Sequence, residues 1–440
     1  MIARIVTAAT RRGGYMAMMG IGAVLGILRG FVLAGILPAS GFGLYAAIVA
    51  VGLFLAPLIG LGQIEDMRKR FPRLWVEGRI REIGPISSRL LSIMAARAGI
   101  IVLIGGAGLL VIGQSDWAIA VFAGGLIAFS QSGAAIMASA LRAGPDLTPM
   151  ATAALIRGSA ALLLAVAGAL AFGLNGAIMG EAVGGFIGLL AAKGLFARQV
   201  RRLTTSGNIQ PPSQNFEDAG QNTGQAEKRL SKTGLQLLFG TMAASVPIYL
   251  SRPFVGLQYS LQELGTFAFL MLFVQAVVTA ISITDQIIGP TLIRMRHAGA
   301  SLAHQLKIMW LYVGGMAALI AAGLAIAFVL LTQTFLNGYA AKYELSLPLM
   351  LPIGVFAMFQ VALSLDWMLM AHDRERLVLN TSLTYLAAFL AGALVVFATG
   401  LPLVTFLWIM AAARILQFLL QVSYVVALPR EGTVSGSTSG

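Results

Sequence analysis

The sequence contains no cysteine and few charged residues. Of its 440 residues, only 11% are Asp, Glu, Lys or Arg. The absence of cysteine excludes disulfides and thiolate metal sites. The shortage of charge excludes an ordinary soluble protein, which carries roughly 25% charged residues. A chain that is 58% apolar would also expose large apolar patches in water, and the same hydrophobicity excludes intrinsic disorder.

Motifs of soluble enzymes are also missing. The sequence has neither a Gly-x-x-x-x-Gly-Lys phosphate loop nor a His-Glu-x-x-His zinc motif. We therefore expect no enzymatic activity, no cofactor and no metal site. The 30 Lys and Arg residues outnumber the 17 acids and give a net charge of +13. Because nucleic-acid binders carry their basic residues on soluble folded surfaces, we expect no nucleic-acid partner for so apolar a chain.

Long apolar runs fill the sequence. A helix needs about 20 apolar residues to cross the bilayer, and these runs are continuous rather than alternating as in a membrane β-barrel. They predict an all-α polytopic membrane protein with about twelve transmembrane helices. The first run follows Arg11-Arg12 like a signal peptide, but it lacks a small-residue cleavage site, so we expect a retained span. The predicted runs are 13–36, 42–61, 90–113, 117–141, 150–172, 176–197, 233–252, 264–289, 308–332, 347–371, 377–397 and 402–427.

Basic residues are concentrated in one set of connecting segments. With the N-terminus in the cytoplasm, most Lys and Arg fall in the inside segments, and the outside segments contain only Arg252 and Lys342. This is the positive-inside pattern, which predicts that both termini are cytoplasmic. Most of the positive charge therefore reflects topology rather than a binding partner.

The two halves of the chain resemble each other around a Gln/Asn/Ser/Gly-rich segment. Arg29 precedes the stretch 42–46, and Arg252 precedes the stretch 264–268 at nearly the same spacing. We predict two pseudo-symmetric six-helix bundles related by an axis along the membrane normal. The predicted parts are an N-terminal lobe 1–197, a flexible cytoplasmic linker 198–232, a C-terminal lobe 233–427 and a cytoplasmic tail 428–440.

Four arginines, Arg29, Arg97, Arg157 and Arg414, lie within the apolar runs. An arginine at a helix centre costs about 2.5–3.5 kcal/mol on insertion scales, so such residues usually face a bundle interior or a wet cavity. Snorkelling to the interface is the alternative, and it suits Arg414 least. Since arginine binds phosphate in a bidentate manner, we predict a cationic cavity for an anionic ligand.

Uncharged polar residues and three acids also lie within the apolar runs. The polar residues repeat at helical spacing and indicate either a polar cavity or interhelical hydrogen bonds. The candidate cavity residues are Gln275, Thr279, Ser282, Gln286, Gln360, Gln417 and Gln421. Glu181, Asp285 and Asp366 are candidates for ion pairing with an arginine or for proton coupling.

Glycines repeat every fourth residue in two of the runs. They are Gly22, Gly26 and Gly30 in the first run and Gly180, Gly184 and Gly188 in the sixth. Such small residues allow helix backbones to approach closely, so we interpret both repeats as packing surfaces.

The stretch 35–46, Gly-Ile-Leu-Pro-Ala-Ser-Gly-Phe-Gly-Leu-Tyr-Ala, and Gly60-Leu61-Gly62-Gln63 before a basic loop resemble the start of the polysaccharide-biosynthesis flippases. These are O-antigen-flippase-like members of the multidrug/oligosaccharidyl-lipid/polysaccharide (MOP) exporter superfamily, and Leu264-Gly265-Thr266-Phe267-Ala268 is similar to their second-half opening. The resemblance implies a lobed fold like that of the MATE exporters, which belong to the same superfamily. It also implies that undecaprenyl-diphosphate-linked oligosaccharide is flipped across the bacterial inner membrane for O-antigen or export-polysaccharide synthesis. Ser251-Arg252 departs from the acid-Arg pair common in the family.

The resemblance further implies a lipid-linked anionic oligosaccharide, the bilayer and polysaccharide polymerase machinery as partners. A MATE-like multidrug or small-molecule exporter of the same fold is the first alternative. A membrane-embedded glycan polymerase or ligase is the remote one, because the predicted outside loops 253–263 and 333–346 contain no acid–base constellation.

Overall fold

The protein is α-helical in a computed structural model that describes residues 2–111, 115–144, 146–205, 232–333 and 337–428. No β-strand occurs within these ranges, which confirms the all-α prediction. The helices are α1 (Ile2–Ile36), α2 (Ala39–Gly60), α3 (Gln63–Val76), α4 (Ile80–Val111), α5 (Ser115–Arg142), α6 (Thr148–Thr205), α7 (Lys232–Tyr249), α8 (Ser251–Gln258), α9 (Leu261–His297), α10 (Leu302–Gln333), α11 (Asn337–Lys342), α12 (Leu347–Met358), α13 (Ala362–Ala371), α14 (Glu375–Thr399) and α15 (Leu403–Val426).

Ten helical segments in the described ranges are long and apolar enough to cross a membrane. One of them, Thr148–Leu203, contains both the fifth and the sixth predicted runs, and α7 covers most of the seventh. Large apolar side chains such as Leu103 and Phe172 are 71% and 78% exposed. In water such exposure would favour aggregation, whereas next to lipid it is the expected surface of a polytopic membrane protein.

Helix α6 is a hairpin whose two arms pack through glycine. The helix is interrupted at Gly173, where φ is 59° and ψ is −137°, in the turn that the sequence predicts between two spans. A Cβ on Gly184 would lie 2.5 Å from the Cα of Ala161, and one on Gly188 would lie equally close to the Cβ of Arg157. The repeat at 180, 184 and 188 therefore lets the second arm contact the first.

A short amphipathic helix connects α2 to α4. Leu61 and Gly62 adopt left-handed conformations, with φ of 40° and 74°, and turn the chain out of α2 into α3. Ile64, Met67, Phe71 and Leu74 repeat at helical spacing on one face of α3, and all are buried. Arg73, a basic residue of the same helix, is exposed.

The tenth predicted run is a broken helix. Helix α12 ends at Met358, residues Phe359–Val361 form a 3₁₀ turn, and α13 continues from Ala362. A mid-helix 3₁₀ segment often marks a hinge or a functional site, and this one contains the buried Gln360.

The chain forms two compact units, Met1–Ala268 and Phe269–Gly440. Unit 1 has an apolar core that includes Ile59, Phe71 and Met94, and unit 2 has one that includes Ile281 and Leu365. In unit 1, helix α6 continues to Thr205, into the predicted linker. The rest of that linker to residue 231 and nearly all of the predicted tail lie outside the described residues, so the predicted lobe boundaries stay a prediction.

Candidate functional site

Unit 1 contains an ion pair within its apolar helices. Arg29 of α1 and Glu181 of the second arm of α6 approach to 2.6 Å, and their side chains are 16% and 4% exposed. The hydroxyl of Tyr45 in α2 donates at 3.1 Å to Oε2 of Glu181, the oxygen that also makes the 2.6 Å contact with Arg29. Ion pairing repays the desolvation of two buried charges only when their hydrogen bonds are satisfied. Glu181 receives two donors here, whereas the buried Nε of Arg29 has no partner in the part of the chain that the structure describes.

A second arginine lies close to this ion pair. Arg157, in the first arm of α6, donates from Nη2 to Oε1 of Gln131 at 2.5 Å and interacts electrostatically with Glu181 and Arg29. Within the described ranges, Arg157 forms no ion pair of its own. The arginine–glutamate cluster, which comprises Arg29, Tyr45, Gln131, Arg157 and Glu181, therefore has one more positive than negative charge.

Arg97 of α4 caps the C-terminal end of α2. Its Nη1 donates to the carbonyl oxygen of Ile59 at 3.0 Å and to Oε1 of Gln63 at 3.1 Å. Ile59 lies in the last turn of α2, where carbonyls have no partner within the helix. Arg97 thus joins the end of α2 to the start of α3, and this contact gives it a structural reason to lie inside the fourth helix.

Unit 2 contains a fully buried arginine. Arg414 of α15 has no exposed surface. It donates from Nη1 to Gln417 and from Nη2 to the carbonyl oxygen of Gln360 at 3.4 Å. Its guanidinium also lies over the ring of Tyr385, 5.2 Å from the centroid. The polar face predicted on α15 is therefore directed into the packed interior of unit 2, toward the 3₁₀ turn.

An acid completes this arginine–glutamine cluster, which comprises Gln360, Asp366, Tyr385, Arg414, Gln417 and Gln421. Gln421 donates from Nε2 to the carboxylate of Asp366 at 2.6 Å, and Arg414 and Asp366 interact electrostatically. They form no ion pair with each other. The two charges thus compensate each other at a distance rather than by direct contact.

Several polar atoms of the arginine–glutamine cluster have no protein partner. All of them are buried, and buried polar groups in native proteins are normally hydrogen-bonded. The cluster therefore has hydrogen-bonding capacity for water or for polar ligand atoms. The five atoms are Gln360 Oε1, Tyr385 Oη, Arg414 Nε, Gln417 Nε2 and Gln421 Oε1.

Asp285 forms a separate group in unit 2. Its Oδ1 accepts from the hydroxyl of Ser364 at 2.7 Å and from the hydroxyl of Tyr312 at 3.0 Å. Tyr312 also shares a hydrogen bond of 2.6 Å with Thr284. Asp285 is 8% exposed and is held by hydroxyl groups rather than by a cation, so it differs from Glu181 in the means of its stabilisation.

The polar residues predicted to line a cavity from α9 form hydrogen bonds mainly within their own helix. Thr279 donates to the carbonyl oxygen of Gln275 at 2.7 Å, and Ser282 donates to that of Val278 at 2.8 Å. The side chain of Gln286 lies outside the described residues. Among the described residues, no group of three or more His, Cys, Asp or Glu side chains is arranged to hold a metal ion.

The structure brings additional residues into these clusters. Tyr45 and Gln63 both lie in the stretches that carry the family resemblance, yet periodicity alone gives them no role. Gln131 lies between two serines in α5, and Tyr385 follows Thr384 in α14. A polar side chain within an apolar run is the signal that would have identified each of them.

Comparison with protein-family models gives no match, and comparison with curated proteins gives none either. Solved structures do match along nearly the whole chain. An inward-facing multidrug resistance MATE family transporter of the MOP superfamily is 14% identical, with 94% of this chain and 95% of that chain covered at a TM-score of 0.58. The MATE multidrug transporter DinF-BH, in a ligand complex, is 16% identical, with 95% of each chain covered and a TM-score of 0.59.

A mutant of the Vibrio cholerae MATE transporter VcmN is 15% identical, covering 96% of this chain and 98% of that chain at a TM-score of 0.57. At these identities the similarity concerns the fold. The chain therefore has the polytopic fold of the MATE transporters, and it has it over almost its full length.

Proposed function

We propose that the protein is a secondary transporter of the bacterial inner membrane. It exports its substrate by alternating access between its two lobes. The observation that carries this proposal is the MATE-type fold, which extends over 94% of the chain. Charged clusters buried among apolar helices support it, because ionisable groups inside membrane proteins usually serve transport or coupling.

A small molecule is the substrate class that we favour. The multidrug description of two similar structures supports such a substrate. The case for an anionic substrate rests on arginines without a protein partner in the membrane. Of the four arginines within the apolar runs, three have protein contacts that account for their position. Arg29 is neutralised by Glu181, Arg97 contacts the end of α2, and Arg414 is wholly buried.

Asp285 and Asp366 are the groups that we propose to couple export to an ion gradient. Both lie in unit 2, and both accept hydrogen bonds from neutral side chains. Neither is in a direct ion pair with another described residue. A carboxylate held in this way can take up and release a proton without breaking an ion pair. Glu181 is less suited to coupling because it is in a direct ion pair with Arg29.

A lipid-linked oligosaccharide flippase is the second candidate. One observation favours it: Arg157 forms no ion pair with any residue that the structure describes, and its cluster has an excess positive charge. Such a group could bind a diphosphate through bidentate hydrogen bonds. In that case the bilayer would hold the prenyl chain, and polysaccharide polymerase machinery would be the partner outside.

Two assays on the same proteoliposomes test the proposal. The first measures uptake of a cationic fluorescent dye driven by a pH gradient, and the second measures flipping of fluorescent undecaprenyl-diphosphate-oligosaccharide. For a small-molecule exporter, we expect dye transport that Asp366→Asn or Asp285→Asn lowers at least tenfold and that Arg157→Ala leaves near wild type.

For a flippase, we expect no dye transport and a lipid-flipping rate that Arg157→Ala lowers at least tenfold. Arg198→Ala is the matched control, because it removes an exposed arginine from the same helix. Failure of the folded wild-type chain in both assays would contradict the transport proposal.

A further inference from the structure

Unit 1 has a cavity of about 300 Å³ between α4, α5 and the second arm of α6. It lies apart from the arginine–glutamate cluster, and none of that cluster's residues lines it. Its walls include two basic side chains, two hydroxyls and two buried apolar side chains. These residues are Arg81, Ser87, Ser88, Met137, Lys193 and Phe196.

The predicted topology places the cavity at the depth of the lipid headgroups. Its lining on α4 comes from residues 80–88, just before the predicted apolar run 90–113. Its lining on α6 comes from residues 193–200, where the run 176–197 ends. The positive-inside pattern assigns both ends to the cytoplasmic side, so the cavity faces the inner leaflet where apolar chains meet polar headgroups.

Two basic side chains on this cavity have no acidic partner in the described part of the chain. Arg81 and Lys193 are exposed and take part in no ion pair there. The nearest acid in sequence, Glu82, is engaged by Arg79 at 2.7 and 2.9 Å. The two cations are therefore available to a ligand that carries negative charge.

A buried hydroxyl on the same wall also has no partner. Ser87 is 2% exposed, and its Oγ makes no hydrogen bond. Other serines of α4 and α5 behave differently, since Ser92 and Ser139 each donate to the carbonyl four residues earlier. A donor left unsatisfied beside two cations is suited to an acceptor on the ligand, because an unmade buried hydrogen bond is costly.

The remaining wall is apolar and open. Met137 and Phe196 are 1% and 5% exposed. A Cβ on Gly84 would meet only the Cε1 of Phe196, at 3.9 Å, so glycine at this position keeps space in the cavity. The lining thus combines apolar side chains that suit an acyl chain with cations that suit a phosphate.

We infer that this cavity is a binding site for an anionic phospholipid of the cytoplasmic leaflet, with its phosphodiester at Arg81 and Lys193. Basic pockets between membrane helices on the cytoplasmic side are where acidic headgroups bind. The inference does not depend on the transported substrate.

Native mass spectrometry of the purified full chain tests it, with phosphatidylglycerol and phosphatidylcholine as probes. We expect phosphatidylglycerol to bind at least tenfold more tightly. The double variant Arg81→Gln/Lys193→Gln should lose about 25-fold in phosphatidylglycerol affinity, or roughly fivefold per basic residue, and should bind phosphatidylcholine as the wild type does. Arg198→Gln, which removes an exposed charge outside the cavity, should change neither affinity.

Gly84→Leu is a second variant that keeps every charge and fills the cavity. It should lower phosphatidylglycerol binding at least fivefold, so the inference remains testable if the double variant does not fold. Equal wild-type affinity for the two lipids would overturn the inference, as would an equal loss in Arg198→Gln. Competition by free glycerol 3-phosphate at the concentration of the lipid would also overturn it, since the site would then hold a phosphate and not a lipid.

Discussion

The guanidinium of Arg414 lies over the aromatic ring of Tyr385, 5.2 Å from its centroid, and both side chains are fully buried. The ring faces a cation on one side, while its hydroxyl has no hydrogen-bond partner. The contact therefore combines a favourable cation–π interaction with an unsatisfied polar group.

These two contributions of Tyr385 can be separated by substitution. Tyr385→Phe keeps the ring and removes the unpartnered hydroxyl, so we expect stability equal to or above that of the wild type. Tyr385→Leu removes the ring and should lower the free energy of unfolding by about 2 kcal/mol or more. Thermal unfolding in detergent measures both, and equal losses in the two variants would contradict the cation–π assignment.

The ion pair between Arg29 and Glu181 predicts strong energetic coupling between two positions that are far apart in sequence. Arg29→Met or Glu181→Met alone should lower the free energy of unfolding by about 3–5 kcal/mol, because each leaves a buried charge uncompensated. The double variant should recover most of that loss. A double-mutant cycle from thermal unfolding gives the coupling energy, and additive losses would show that the pair is not energetically linked.

Glycines in α1 and α6 provide a matched pair of packing tests. A Cβ on Gly158 would lie 2.8 Å from the carbonyl oxygen of Gly22, whereas one on Gly26 would meet no atom within 4 Å. Gly158→Ala should therefore destabilise the protein by about 1–3 kcal/mol through overpacking. Gly26→Ala should be neutral or stabilising, because alanine favours the helix. Unfolding temperatures in the same detergent compare the two, and a reversed order would contradict the packing.

His372, just beyond α13, predicts a pH effect on stability. Burial lowers the pKa of His372, Arg296 lowers it further, and its Nε2 lies 3.1 Å from Oε1 of the buried Gln305. The folded state thus favours neutral His372. Its contribution to the free energy of unfolding is complete above the unfolded pKa of about 6.5 and declines as pH falls below it.

We expect the unfolding temperature of the wild type to decrease between about pH 7 and pH 5. His372→Gln should reduce this slope, and His304→Gln, which changes an exposed side chain, should not. Melting curves across that range test the prediction. A wild-type slope retained in His372→Gln would show that other groups cause the pH dependence.

Much of the membrane architecture could be predicted from apolar run lengths. The turn at Gly173-Leu174-Asn175 occurs at the predicted position, because two spans joined by so few residues must reverse direction. The glycine repeat in the sixth run also predicts close packing, and the Gly184 contact with Ala161 bears this out. The break at 359–361 gives no such signal, since its sequence Phe-Gln-Val contains neither proline nor glycine.

The roles of the intramembrane arginines could not be predicted in the same way. Helical spacing places Arg414, Gln417 and Gln421 on one face, and they do share a cluster. Spacing cannot reveal that Arg97 contacts the end of α2 or that Arg29 pairs with Glu181. These partners lie on other helices, so their proximity depends on how the helices pack.

The sequence by itself determined that the chain is helical and polytopic, because lipid forces each segment to satisfy its own backbone hydrogen bonds. The cost of charge in lipid likewise marked the arginines as exceptional. Only the tertiary structure decided which of these charges are neutralised. Arg29 and Glu181 are separated by 152 positions, and a contact of that kind depends on side-chain packing between helices, which no local periodicity encodes.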